Sequence, residues 1–138
     1  MLPQEAIIDD ALTIPVLIVD DQPPFRAVAR TVVGMAPGFQ VAAEADSGER
    51  AVELAAELRP SLVLMDINLG GINGIEATRQ ITSARAGIVV VLLSTYDADS
   101  LPAGSDSCGA ATYVHKEDLS PSLLRTIWDE FSPPGSSP

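Results

Sequence analysis

The chain has 138 residues and a mass of 14.4 kDa, enough for one domain that buries roughly two thirds of its unfolded surface. Hydrophobic residues make up 46% and charged residues 20%, which argues against intrinsic disorder, and no apolar run approaches the roughly 20 residues of a membrane-spanning helix. Eight basic residues against nineteen acidic ones argue against direct nucleic-acid binding, and a single cysteine with a single histidine excludes a Cys/His metal centre, so any metal must be held by oxygen.

The first fifteen residues carry neither a basic start nor a cleavable signal, so a cytoplasmic protein is expected. Val16-Leu-Ile-Val-Asp20, between Pro15 and Asp-Gln-Pro-Pro, reads as a buried strand. Phe25 to Met35 places Phe25, Val28, Ala29, Val32 and Val33 at helical spacing, and Pro37-Gly38 stops that helix. Phe39 to Ala45 is a weaker strand. Asp46 with Glu49 three residues later has the form of a capping box, and Val52, Leu54, Ala55 and Leu58 supply the apolar stripe of a second helix. Leu62 to Asp66 is a third strand, Gly70, Gly71 and Gly74 punctuate a loop, and Ile75 to Ala84 returns to helical spacing.

Ile88 to Ser94 is the most apolar strand of all. Thr95 to Gly109 is ambiguous, Ala111 to Val114 is a short strand, and Ser120-Pro121 is an N-cap followed by proline at the first helical position. Leu123, Leu124, Ile127, Trp128 and Phe131 form the packed face of the last helix. Strands too apolar to leave one face wet, alternating with helices, predict an α/β fold: a doubly wound, five-stranded parallel sheet. The expected layout is an N-terminal extension over residues 1–13, one domain over 14–132, and a flexible tail or the start of a linker over 133–138.

In open α/β sheets ligands bind beyond the carboxyl ends of the strands. The residues expected there are polar: Asp20 and Asp21 after the first strand, Asp66 at the third, Ser94 and Thr95 at the fourth, and Lys116, the chain's only lysine, after the fifth. Three converging carboxylates repel one another unless a cation neutralises them, and Mg2+, which takes oxygen ligands and a phosphoryl oxygen, fits. A hydroxyl and an ammonium at the same edge suit a group with three negatively charged oxygens, leaving one carboxylate as its acceptor. Taken singly, each of these residues has a plainer reading as a turn, a helix cap or a solvated side chain; it is their joint placement that points to chemistry.

The segments Val16-Leu-Ile-Val-Asp-Asp-Gln-Pro-Pro-Phe-Arg26, Leu62-Val-Leu-Met-Asp-Ile-Asn-Leu-Gly-Gly-Ile-Asn-Gly74, Val91-Leu-Leu-Ser-Thr95 and Gly109-Ala-Ala-Thr-Tyr-Val-His-Lys-Glu-Asp118 resemble the receiver domain of two-component response regulators. The likeness is strongest to the subgroup usually joined to a LuxR-type helix-turn-helix. It implies a flavodoxin-like sheet in strand order 2-1-3-4-5. It also implies a phosphoryl-accepting signalling role, with Asp66 phosphorylated by a histidine kinase or a histidine phosphotransfer protein.

On the same resemblance, Asp21 and Asp66 hold magnesium directly, Asp20 holds a metal-bound water, and Asn68 offers its backbone carbonyl. Ser94 and Lys116 contact the phosphoryl oxygens, Thr95 gives its backbone amide, and Tyr113 changes rotamer as Ser94 moves. Asn68 and Tyr96 stand where relatives set the rate of dephosphorylation, and the bulk of Tyr96 implies a slow one. Gly70 replaces a proline common in relatives, implying a looser loop after Asp66, and Glu117 replaces the proline that follows the lysine elsewhere.

The expected fourth helix, Asp97 to Ser107, contains Pro102 and Gly104 and is predicted to be short, displaced or partly unwound. Such a weakly held segment would be ordered by a partner or by phosphorylation. The alternatives are a metal-dependent phosphohydrolase with an aspartyl-phosphate intermediate, a truncated DNA-binding transcriptional regulator, and an inert pseudo-receiver. The hydrolase needs an acid two residues after its nucleophile, where Asn68 stands. The receiver reading implies only self-phosphorylation and self-dephosphorylation, no membrane or nucleic-acid partner, an unidentified output partner, and leaves homodimerisation open.

Overall fold

A computed structural model describes residues 13–95 and 101–134. Five strands alternate with helices in the order β1 (Ile14–Val19), α1 (Pro23–Met35), β2 (Phe39–Ala45), α2 (Gly48–Leu58), β3 (Leu62–Asp66), α3 (Gly74–Ala84), β4 (Val89–Ser94), β5 (Thr112–His115) and α4 (Pro121–Phe131). All pairings are parallel and the sheet order is β2-β1-β3-β4-β5. The expected architecture is therefore present, with four α-helices among the described residues.

The period-2 alternation of strand side chains divides the core into two. Val16 and Ile18, Leu62 and Leu64, and Val91 and Leu93 face one way and pack with Ala29 and Val33 of α1 and with Leu124, Ile127 and Trp128 of α4. Leu17 and Val19, Val63 and Met65, and Val90 and Leu92 face the other way, against Ala51, Leu54 and Ala55 of α2 and Ile75, Ala77 and Ile81 of α3. Both faces being covered is why these strands read as unbroken apolar runs. Pro15 sits in an interior strand without a missing ladder bond on the β3 side, because pairing with β3 begins only at Val16↔Leu62.

Several boundaries and faces differ from expectation. β1 stops at Val19, leaving Asp20 just beyond it, and β5 runs one residue later than predicted. α1 starts at Pro23 rather than Phe25, with Gln22 before it. Val28 and Leu58 are 51% and 46% exposed, because the buried stripes of α1 and α2 are narrow and centred on Ala29/Val33 and Ala51/Leu54/Ala55.

The N-cap of α2 is Ser47, whose hydroxyl accepts the Arg50 N–H, and not Asp46. Glu49 makes no capping box; its carboxylate accepts the Ile72 N–H at 3.1 Å instead. That bond ties the loop after Asp66 to α2, so this end of the loop is held, contrary to the looser loop expected from Gly70.

Residues 101–109 form turns and no helix, with Ser105 N–H donating to the Pro102 carbonyl and Ser107 N–H to that of Gly104. Residues 96–100, which include Tyr96, lie outside the described residues. The Thr82 hydroxyl lies 3.0 Å from the Cys108 carbonyl, and Cys108 is buried against the α2/α3 side of the core.

Candidate functional site

The sheet is parallel, so every strand delivers its C-terminal residue to one edge, and the polar strand ends meet there. Asp20, one residue past β1, is fully buried. Its polar atoms are engaged in turn: Oδ1 accepts the Gln22 N–H at 2.8 Å, Oδ2 lies 2.7 Å from Lys116 Nζ, and the backbone carbonyl accepts Arg26 Nη1 at 2.8 Å. Arg26 is held from its other side by Glu44 of β2, at 3.5 Å. Asp20 is thus fixed by α1, β2 and the turn after β5 together.

Asp66 is the last residue of β3 and pairs in register with Leu93 of β4. Its side chain is 4% exposed; Oδ1 accepts the Asn68 N–H at 3.2 Å and lies 3.5 Å from Lys116 Nζ. The Lys116 ammonium therefore stands between the two buried carboxylates. It also sits 4.5 Å from the centre of the Phe25 ring, an arrangement that favours a desolvated cation. Carboxylate oxygens of Asp20, Asp21 and Asp66 all lie within 4.8 Å of one another, with Asp21 exposed to solvent.

Burial pushes the Asp66 carboxyl up to about 6, and the negative charge of Asp20 and, less strongly, of Asp21 adds to the rise, while Lys116 and the Asn68 N–H oppose it. A carboxylate raised by burial and by like charge is one that a cation would return to its ionised form. The three hard oxygen donors, one open to solvent, fit a magnesium ion that keeps part of its water shell.

Ser94 ends β4, buried, and pairs in register with His115 of β5; Thr95 follows it, exposed. Tyr113 is half-buried in β5 and packs against the α2/α3 side of the core. Asn68 touches the site through its backbone N–H to Asp66, and its side chain is exposed.

Four contributors escaped sequence reasoning. Arg26 and Gln22 act through backbone contacts with Asp20 that carry no residue-type signature. Phe25 counted only as a core position. Gly74 is required because a Cβ there would overlap the Asp66 carbonyl oxygen and stand 2.9 Å from the Ile67 Cα, so only glycine lets α3 begin directly behind the site. Its one sequence signal was its identity. A cavity of about 1030 Å³ lies elsewhere, between β5 and α4, lined by residues that include Tyr113, His115, Leu123 and Phe131.

The family model described as the response regulator receiver domain matches residues 16–127. Among curated proteins, the chain is 35% identical over 114 residues to the transcriptional regulatory protein DegU of Brevibacillus brevis, covering 83% of this chain and 48% of the relative. It is 39% identical over 119 residues to the response regulator GacA of Pseudomonas aeruginosa, covering 86% of this chain and 56% of the relative. The chain thus spans about half the length of these relatives. Among solved structures, the response regulator domain of Thermotoga maritima CheB superposes with a TM-score of 0.76 at 29% identity, over 88% of this chain and 99% of that one. A LuxR-family two-component response regulator from Aurantimonas superposes with a TM-score of 0.76 at 30% identity, over 86% and 84%. The phosphohydrolase alternative finds no support among these relatives.

Proposed function

Because the chain belongs to the response regulator receiver family, the signalling modules of two-component systems, we propose that Asp66 is its phosphoryl acceptor. The observation that carries the assignment is the Lys116 ammonium lying 2.7 Å from Asp20 and 3.5 Å from Asp66, inside an otherwise acidic strand-end cluster. A carboxylate oxygen of Asp66 attacks the phosphorus of the donor, the bond from phosphorus to the donor breaks, and an aspartyl phosphate remains. Asp20, Asp21, Asp66 and the Asn68 carbonyl would hold magnesium, which supplies positive charge against the phosphoryl oxygens. Lys116, already desolvated between two carboxylates, moves its charge onto the incoming oxygens with little reorganisation. Ser94 and the Thr95 amide complete the oxygen contacts from β4.

The donors this reading implies are a histidine kinase or a histidine phosphotransfer protein. The chain's own chemistry is limited to taking up the phosphoryl group and losing it to water, and the output partner is expected at the β5/α4 face, where Tyr113 meets the large cavity. The test is intact mass after incubation with acetyl phosphate and magnesium. Wild type gains the mass of one phosphoryl group, and Asp66→Ala gains none; undiminished labelling of Asp66→Ala would sink the assignment.

A further inference from the structure

His115 is the only histidine of the chain and stands between two elements of the site without belonging to it. It is the last residue of β5, it precedes Lys116, and it pairs in register with Ser94. Its Nδ1 lies 3.2 Å from the Glu117 backbone nitrogen, and its Nε2 lies 3.0 Å from the Thr95 carbonyl oxygen.

The partners decide the tautomer. A backbone N–H can only donate, so Nδ1 accepts and carries no proton; a carbonyl can only accept, so Nε2 carries the proton and donates. One neutral form of the ring satisfies both contacts. The first contact caps the short 3-10 turn over Lys116–Asp118, which begins with the lysine. The second anchors that turn to the first residue beyond β4.

We propose that His115 is a positioning residue that holds the Lys116 ammonium against Asp20 and Asp66 by tying the Lys116 turn to the end of β4. This rests on the reading of Asp66 as acceptor and Lys116 as phosphoryl contact. The ring makes the end of β4, with Ser94 and Thr95, and the lysine turn one rigid unit. The two groups that must meet the phosphoryl oxygens from different strands then keep a fixed separation, and misplacing either by an ångström costs heavily in rate.

The test is a double-mutant cycle with His115→Leu and Lys116→Ala, read as the rate of Asp66 phosphorylation by acetyl phosphate at saturating magnesium. His115→Leu removes both bonds and should slow labelling about tenfold, the usual cost of losing an orienting partner. His115→Gln places an amide N–H where Nε2 stands, can still donate to the Thr95 carbonyl, and should regain most of that rate, whereas His115→Asn, which keeps only the Asx-turn acceptor for the Glu117 N–H, should not. In the Lys116→Ala background His115→Leu should change nothing further. Labelling of His115→Leu at the wild-type rate, an equal slowing with and without Lys116, or no recovery in His115→Gln overturns the proposal.

Magnesium titration separates this from the acceptor assignment. A wild-type chain that took up no phosphate would refute the assignment alone. Loosening the lysine should still lower the magnesium dissociation constant in His115→Leu, and not in the double variant relative to Lys116→Ala; no change in either background would overturn the role of His115.

Discussion

Asp66→Asn should make the metal-free protein more stable at neutral pH, although it deletes the residue at the centre of the site. The asparagine keeps the volume and retains an oxygen to accept the Asn68 N–H. What it removes is a charge that burial and the neighbouring Asp20 and Asp21 disfavour by more than Lys116 compensates. Raising that carboxyl from 3.8 to about 6 corresponds to about 3 kcal/mol of native-state penalty once the group is ionised. Relaxation of the side chains and water entry reduce this, so the expected gain is roughly 1–3 kcal/mol, and 2 kcal/mol moves the melting temperature of a domain this size by roughly 7 °C.

The folded state holds the Asp66 proton more tightly than the unfolded chain does. The wild-type contribution therefore falls as pH rises from about 4 through about 6, and the full penalty is present above that. The advantage of Asp66→Asn should accordingly be largest at pH 7.5 and vanish near pH 4. Magnesium should act oppositely, stabilising the wild type by about 2.7 kcal/mol at a hundredfold excess over its dissociation constant and the variant much less. The assay is thermal unfolding in chelator and in millimolar magnesium at several pH values. A variant no more stable than wild type at pH 7.5 in chelator, or equally advantaged at pH 4.5, would refute the electrostatic reasoning.

Gly74→Ala should cost roughly 1–3 kcal/mol, at the upper end of that range because the atoms in the way are the Asp66 and Ile67 backbone rather than a flexible side chain; it should also weaken magnesium binding, and calorimetry of both quantities checks it. Thr82→Val should release the 101–109 segment by removing the hydroxyl at the Cys108 carbonyl, so that Cys108, the one thiol of the chain, reacts faster with a disulfide reagent; an unchanged labelling rate would show that packing alone holds the segment.

What was legible in the sequence, and what was not, follows from how much each contact constrains residue type. A parallel strand covered on both faces must be apolar throughout, so β1, β3 and β4 announced themselves. For the same reason Asp20, Asp66 and Ser94 stood out as polar residues closing apolar runs. Helix faces were less legible, since Val28 and Leu58 satisfy an apolar period while lying on the solvent side of it.

The start of α2 turned on one residue, because Asp46 and Ser47 are both good N-caps. Glu49 settled it by bonding to Ile72, a residue 23 positions away that no local window contains. Among the described residues, 101–109 form turns where Pro102 and Gly104 disfavour a regular helix, with Gly104 at φ +90 where other residues are strained. The anchoring of that segment through the Cys108 carbonyl left no mark, because any residue offers a carbonyl. The same is true of the Arg26 bond to Asp20 and of the His115 bond to Thr95. Side chains that act on backbone are thus the part of the site that only coordinates disclose, and in this protein they are the ones that hold the acidic cluster and its lysine in place.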